Sequence, residues 1–201
     1  DDIDKFRDGV AKVKLDKQYG IIDTQGKPIT GTVFADLEDF KNGVAWMRKD
    51  ELNNKTYKTC SYGLIDKTGK EIFAPQFSAI PKFDSKGYAI AEMYENKVIG
   101  APKFYGIIHK DGRIILDLNA KAIASEEGLY VMQRNDDKWV ILNSDFKQVD
   151  GEFEEFKTTQ KGLSTSYFMN GIMIAKKDGK YGFIDKNGKT VIPFRYDEVH
   201  P

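Results

Sequence analysis

Apolar and polar positions alternate along this chain in short runs, and the runs recur. Val10-Ala11-Lys12-Val13, Val44-Ala45-Trp46-Met47, Tyr88-Ala89-Ile90-Ala91 and Ile172-Met173-Ile174-Ala175 occupy equivalent places. Each follows a Gly and, a turn earlier, a Phe: Phe6, Phe40, Phe83 and Phe168. Glu127-Gly128-Leu129-Tyr130-Val131-Met132 is a fifth version without the Phe. A period of two predicts a half-buried strand. A second phrase follows each run, seen most fully in Lys180-Tyr181-Gly182-Phe183-Ile184-Asp185-Lys186-Asn187-Gly188-Lys189. Its lead aromatics, Tyr19, Tyr62, Tyr105, Trp139 and Tyr181, stand 43, 43, 34 and 42 residues apart. Self-similarity at such a period marks a repeat architecture.

The second phrase reads as a hairpin. Aromatic-Gly-apolar-Ile-Asp is a strand of β-branched and aromatic residues, interrupted by a Gly where another backbone or ring must come close. Asp-x-x-Gly then reverses the chain, with Asp at the first position of a type I turn and Gly at the fourth, where positive φ is wanted. A further strand follows in each copy, as in Lys70-Glu71-Ile72-Phe73 and Lys189-Thr190-Val191-Ile192. In the fourth copy Val140 replaces the strand Gly and Phe146 the turn Gly.

These readings give an all-β fold, a tandem array of about five three-stranded antiparallel units at 1–34, 35–77, 78–119, 120–153 and 154–201, within one repeat domain. The opening Asp2-Ile3-Asp4-Lys5-Phe6 returns as Asp36-Leu37-Glu38-Asp39-Phe40, and Asp197-Glu198-Val199 ends in the same phase, so the chain reads as a whole number of units. An open, solenoid-like array is preferred to a closed five-bladed, propeller-like ring, because blades have four strands and three are counted here. Ile123-Ala124-Ser125-Glu126 has the length of one helical turn. The links at 49–61 and 94–104 are longer than their counterparts and read as projecting hairpins, which in repeat proteins commonly form the binding face.

Tyr-Gly-Phe-Ile-Asp-Lys-Asn-Gly-Lys-Thr-Val-Ile-Pro at 181–193, followed by Tyr196-Asp197-Glu198-Val199, resembles the WG (KWG) repeat, with Tyr in place of Trp in four copies. The resemblance implies a β-rich array in a bacterial protein, often secreted, periplasmic or on the cell surface, with no general activity. It transfers no catalytic residue, because the family motif is structural.

Charge and composition narrow the function classes. Lys and Arg number 31 against 31 Asp and Glu, so no global field draws the chain to nucleic acid or to an anionic membrane. Thirteen Phe and ten Tyr can furnish an aromatic-rich core. Cys60 is the sole cysteine, which excludes an intramolecular disulfide and a multi-thiolate metal site. No run of eighteen apolar residues is present for a membrane-inserted helix. The chain opens on Asp1 without Met and reads as a processed or trimmed form.

Candidate chemistry is sparse. The turn-opening slot holds Asp23, Asp66, His109, Asn143 and Asp185, a set that could suggest a column of metal ligands. Capping of the turn backbone accounts for the same residues, and slots a full unit apart cannot converge on one ion. No nucleophile elbow, zinc motif or phosphate loop appears, so catalytic residues, metals and cofactors are expected to be absent. The outward positions of the first strand, Lys12, Trp46, Ile90, Val131 and Ile174, form a stripe. That stripe is either a ligand groove or the face that packs on the next unit. Trp46, Tyr57 and Tyr94 are the candidate contacts, for a protein or glycan partner. The expectation is a non-enzymatic binding or scaffold module; the alternatives are a carbohydrate-active enzyme or inhibitor domain, marked by paired carboxylates in a cleft, and a structural spacer.

Overall fold

The computed structural model describes residues 2–49, 51–53, 57–59, 61–95, 99–149, 151–161 and 164–200. Side chains are described for all of these except 51–53, 57–59, 160, 161, 164 and 165. Cys60 and the loop residues Asn54, Lys55, Asn96 and Lys97 lie outside the described residues, and so does the side chain of Tyr57. The chain forms two compact units, Asp1–Ile114 and Ile115–Pro201.

The fold is all-β, a tandem series of small open antiparallel sheets, with no α-helix among the described residues. In the first unit, β1 (Asp2–Ile3), β2 (Val10–Leu15) and β3 (Gln18–Asp23) form one sheet. The second sheet contains β4 (Asp36–Leu37), β5 (Val44–Arg48), β8 (Tyr62–Asp66) and β9 (Glu71–Phe77). Its long link supplies a separate hairpin of β6 (Glu51–Asn53) and β7 (Tyr57–Thr59). In the first unit β10 (Tyr88–Tyr94) and β11 (Lys103–His109) follow as a further antiparallel pair, and β12 (Ile114–Ala120), next in the strand order of that third sheet, lies almost wholly in the second unit.

The second unit holds the sheet of β13 (Ala122–Glu126), β14 (Leu129–Gln133) and β15 (Trp139–Leu142). Residues 123–126 are therefore strand, not a helical turn. The Glu127-Gly128 turn, with φ of 51° and 79°, places Ala122–Glu126 opposite Leu129–Gln133. The last sheet contains β16 (Glu155–Lys157), β19 (Phe168–Met169), β20 (Ile172–Lys177), β21 (Lys180–Asp185) and β22 (Thr190–Tyr196). Beside it, β17 (Thr159–Lys161) pairs with β18 (Ser164–Ser166). A short outer strand, β1, β4, β13 or β16, pairs with the strand after the repeated Gly in the first, second, fourth and fifth sheets. In the first and fourth the return strand after the Asp turn makes only isolated bridges, such as Ile22 with Pro28 and Leu142 with Gln148.

Turn chemistry sets the registers. Asp8-Gly9, Asn42-Gly43, Asn170-Gly171 and Asp178-Gly179 all have positive φ at both residues, the backbone of type I′ turns, whose twist suits a tight hairpin. Along β5 the burial alternates, with Ala45 and Met47 inside. The middle strands behave differently: Gly63, Leu64 and Ile65 of β8 are all buried, as are Gly106, Ile107 and Ile108 of β11. A strand covered on both faces needs apolar side chains on both, which explains the Ile pairs in the repeated phrase.

Val10, Ile21 and Phe34 of the first repeat form one cluster with Leu37, Phe40, Met47 and Ile65 of the second. In the other unit Val131, Ile141 and Phe153 cluster with Phe156, Phe168, Met173 and Ile184. Each core is shared by neighbouring sheets, as expected when a single small sheet cannot bury enough apolar surface alone.

Candidate functional site

The repeated Asp slot is structural at each of its positions. Asp23 Oδ1 accepts from the backbone N–H groups of Gln25 and Lys27 at 2.9 and 2.8 Å, and Asp66 Oδ1 from those of Thr68 and Lys70 at 2.8 and 3.0 Å. Asn143 and Asp185 make the same pair of bonds at 2.8–3.0 Å. At Asp66 burial works against the charge, but the Thr68 hydroxyl and the two N–H groups hold the carboxyl below its ordinary value. His109 fills the third slot; its Nδ1 lies 2.8 Å from Asp111 Oδ1 and its Nε2 3.2 Å from the Lys86 carbonyl oxygen. At Asp111 desolvation opposes the charge, but His109 and Arg113 together outweigh it and bring the carboxyl down to about 2. Among the described residues no three His, Cys, Asp or Glu side chains gather as a metal site.

The Gly after the lead aromatic has a steric reason. A Cβ on Gly63 would sit 2.6 Å from the Phe73 carbonyl oxygen and 2.9 Å from the Pro75 nitrogen. On Gly182 it would sit 2.7 Å from the Ile192 oxygen. The next strand slips register at both places, bulging toward the Gly, and Pro75 and Pro193 stand in those bulges. A bulge leaves unpaired the N–H that proline lacks.

A concavity of the first unit encloses about 620 Å³. Its apolar wall is Trp46 and Leu64 of the second sheet, faced by Ile80, Pro81 and Phe83 on the segment leading to β10. Trp46 lies parallel to Phe83, centroids 5.6 Å apart at 15°, and meets Phe77 edge-on at 5.9 Å and 86°. Both signs of charge edge this groove: Glu38, Asp39 and Asp84 against Lys41, Lys82 and Lys110. The aspartates already have structural partners. Asp39 pairs with Arg7 at 3.3 Å and Lys12 at 3.5 Å, while Asp84 Oδ1 accepts from the N–H groups of Lys86 and Tyr88 at 2.9 Å each.

The sequence comparison bears directly on these turns and glycines. The WG containing repeat family matches residues 19–52, 62–97 and 181–201, the segments that carry the Tyr-Gly strands at Gly20, Gly63 and Gly182. Those three stretches are WG containing repeats. No curated protein matches it. Among solved structures it is similar to the computationally designed Ika8 protein, with 11% identity and a TM-score of 0.32 over 93% of this chain and 59% of that one. BamB from Moraxella catarrhalis gives 10% identity and a TM-score of 0.35 over 95% and 62% of the two chains. The WD40 β-propeller domain of Doa1 gives 11% and 0.31 over 92% and 64%. The chain therefore spans about three fifths of the length of each of these structures.

The outward stripe mostly faces the next sheet. Lys12 Nζ donates to the Leu37 carbonyl oxygen at 3.1 Å, Trp46 stacks on Phe83, and Val131 joins the cluster holding Phe156 and Phe168. Burial opposes the charge on Lys12, but Asp4 and Asp39 together raise its pKa above the ordinary lysine value. Ile174 is also buried. Of the candidate contacts whose side chains are described, Trp46 lines the groove and Tyr94 does not. Tyr94 stands at the far end of β10, opposite Lys103, whose ammonium lies 5.2 Å from its ring centroid. Tyr57 lies in β7, with its side chain outside the described set. The sequence reading passed over Ile80, Pro81 and Lys110 and treated Phe83 only as a repeat marker. The available signal was the extra residue between Phe83 and Gly87, which lengthens that turn beside Trp46.

Proposed function

We propose that this WG repeat chain is a non-catalytic recognition module that binds an extended polypeptide along the groove between Trp46 and the segment at 80–85. Supporting the reading is the groove itself: an apolar wall closed by the Trp46–Phe83 stack, with lysines and carboxylates interspersed along its rim. A peptide offers alternating side chains and backbone groups that such a surface can meet together. A sugar stacks on a free aromatic face, and one face of Trp46 is given to Phe83. Catalysis by paired carboxylates fits less well, since Asp39 and Asp84 serve as an ion-pair partner and a turn cap. On the family resemblance, the module belongs to a bacterial protein outside the cytoplasm.

Parallel peptide and glycan arrays probed with wild type, Trp46→Ala and Phe83→Ala test this. Peptide binding by wild type that falls at least about tenfold in both variants is the expected result, a loss of about 1.4 kcal/mol or more. Glycan binding without peptide binding, or peptide binding indifferent to both substitutions, would overturn it.

A further inference from the structure

The joint between the first and second repeats is closed at its rim by side chains that flank the marker Phe. Arg7, the residue after Phe6, pairs with Asp39, the residue before Phe40, at 3.3 Å. Lys12 of the first repeat reaches the same carboxylate at 3.5 Å. One acidic side chain of the second repeat thus holds two cations of the first.

One repeat later the same three places hold different chemistry. Lys41 follows Phe40 as Arg7 follows Phe6, Lys82 precedes Phe83 as Asp39 precedes Phe40, and Trp46 stands where Lys12 stands. All three line the groove. Where the first joint sets a cation against a carboxylate, the second therefore sets a cation against a cation. Both lysines are exposed, and neither has an ion pair or a side-chain hydrogen bond among the described residues. Lys110 adds a third such ammonium; its stem lies beside Gly87, where a Cβ would meet Cδ and Cε at 3.1 Å. Of the groove's carboxylates, Asp39 faces Arg7 and Lys12 and Asp84 caps its turn, which leaves Glu38 against three unpaired lysines. Pro81 stands where Glu38 does and lacks the N–H that Glu38 donates to the Trp46 carbonyl oxygen at 2.9 Å, so residues 80–84 add no outer strand to β10.

We propose that the groove takes an acidic segment of a partner protein, with an apolar or aromatic side chain against Trp46 and a neighbouring Asp or Glu between Lys41 and Lys82. The partner's carboxylate does for the second joint what Asp39 does for the first. This inference rests on the peptide-binding reading of the groove and adds to it the charge of the peptide. Charges on an exposed rim act mainly on partner choice and rate of encounter, and salt screens them.

Fluorescence anisotropy tests it with matched sets of short labelled peptides, each carrying one Leu or Phe among Asp and Glu, among Lys and Arg, or among Ser and Asn. At low salt, wild type should bind the acidic set at least about tenfold more tightly than the basic set, and the gap should narrow as salt rises. Lys82→Asp places the acid of the first joint in the second and should erase that preference, and Lys41→Gln should reduce it. Both side chains are exposed, so both variants should keep the wild-type circular dichroism and melting temperature. Trp46→Ala should weaken binding of every set. Binding that depends on Trp46 but not on peptide charge, or an acidic preference untouched by both lysine substitutions, would overturn the charge assignment and leave the peptide groove standing. Absence of binding by all three sets, or binding untouched by Trp46→Ala, would overturn both.

Discussion

At the residue scale, two positions in the fourth repeat separate what the turn requires from what the motif usually supplies. Phe146 holds φ at 60° where the other repeats have Gly, yet its N–H still donates to the Asn143 carbonyl oxygen at 2.9 Å, as Gly188 N–H does to Asp185 at 3.0 Å. The left-handed conformation costs a residue with a Cβ roughly 1–2 kcal/mol. Phe146→Gly should therefore be more stable than Phe146→Ala by about 1 kcal/mol in urea unfolding; equal midpoints would mean that the turn relaxes when the Phe146–Tyr130 ring contact is lost. The strand glycine makes the converse case. Gly63→Ala forces a methyl against the Phe73 oxygen and the Pro75 nitrogen and should cost about 1–3 kcal/mol. Val140 stands in the matching slot fully buried, so the cost belongs to the bulge over Gly63 and not to the strand position as such.

At the scale of elements, the strands of the third sheet are tied by a carboxylate. Glu92 Oε1 on β10 accepts from Lys103 Nζ on β11 and from the Ser78 hydroxyl, both at 2.7 Å. Burial pushes the Glu92 carboxyl up, but Lys103 and Ser78 outweigh it, and its pKa lies below the ordinary 4.5. A depressed carboxylate lends stability that is present above its unfolded value and lost as pH falls through its folded value. Wild type should lose that contribution below about pH 4.5, by about 0.5–1 kcal/mol for a partly exposed pair, and Glu92→Gln should flatten this part of the stability–pH curve. An unchanged acid limb in the variant would assign the loss to other carboxylates. The elements themselves were legible because their causes are local. Asp-x-x-Gly caps its own turn, the residues after each Gly alternate, and a backbone approach was expected at the Gly of the aromatic-Gly pair. The groove was less legible, because Trp46 and Phe83 stand 37 residues apart and no spacing rule says which face of β5 meets the segment before β10. Tyr94 was grouped with Trp46 because both lie on or beside a long link, yet strand pairing carries Tyr94 to the opposite end of β10.

At the scale of the molecule, stability in a repeat protein belongs to the joints as much as to the units. Phe6 and Phe40 are the same residue in the same phrase, one exposed and the other buried by the preceding repeat. Truncating a buried Phe typically costs about 3–5 kcal/mol, while surface substitutions stay within about 0.5 kcal/mol. Phe40→Ala should therefore lower the urea midpoint strongly and Phe6→Ala hardly at all. The contrast measures the joint, since the side chain, the local turn and the position in the phrase are shared. Equal losses at the two sites would mean that each Phe stabilises its own sheet and that the cluster of Val10, Ile21, Phe34 and Phe40 contributes little. A large loss at Phe40 with a silent Phe6 would mean that the sequence repeat supplies identical parts, and that a neighbouring sheet decides which of them carries stability.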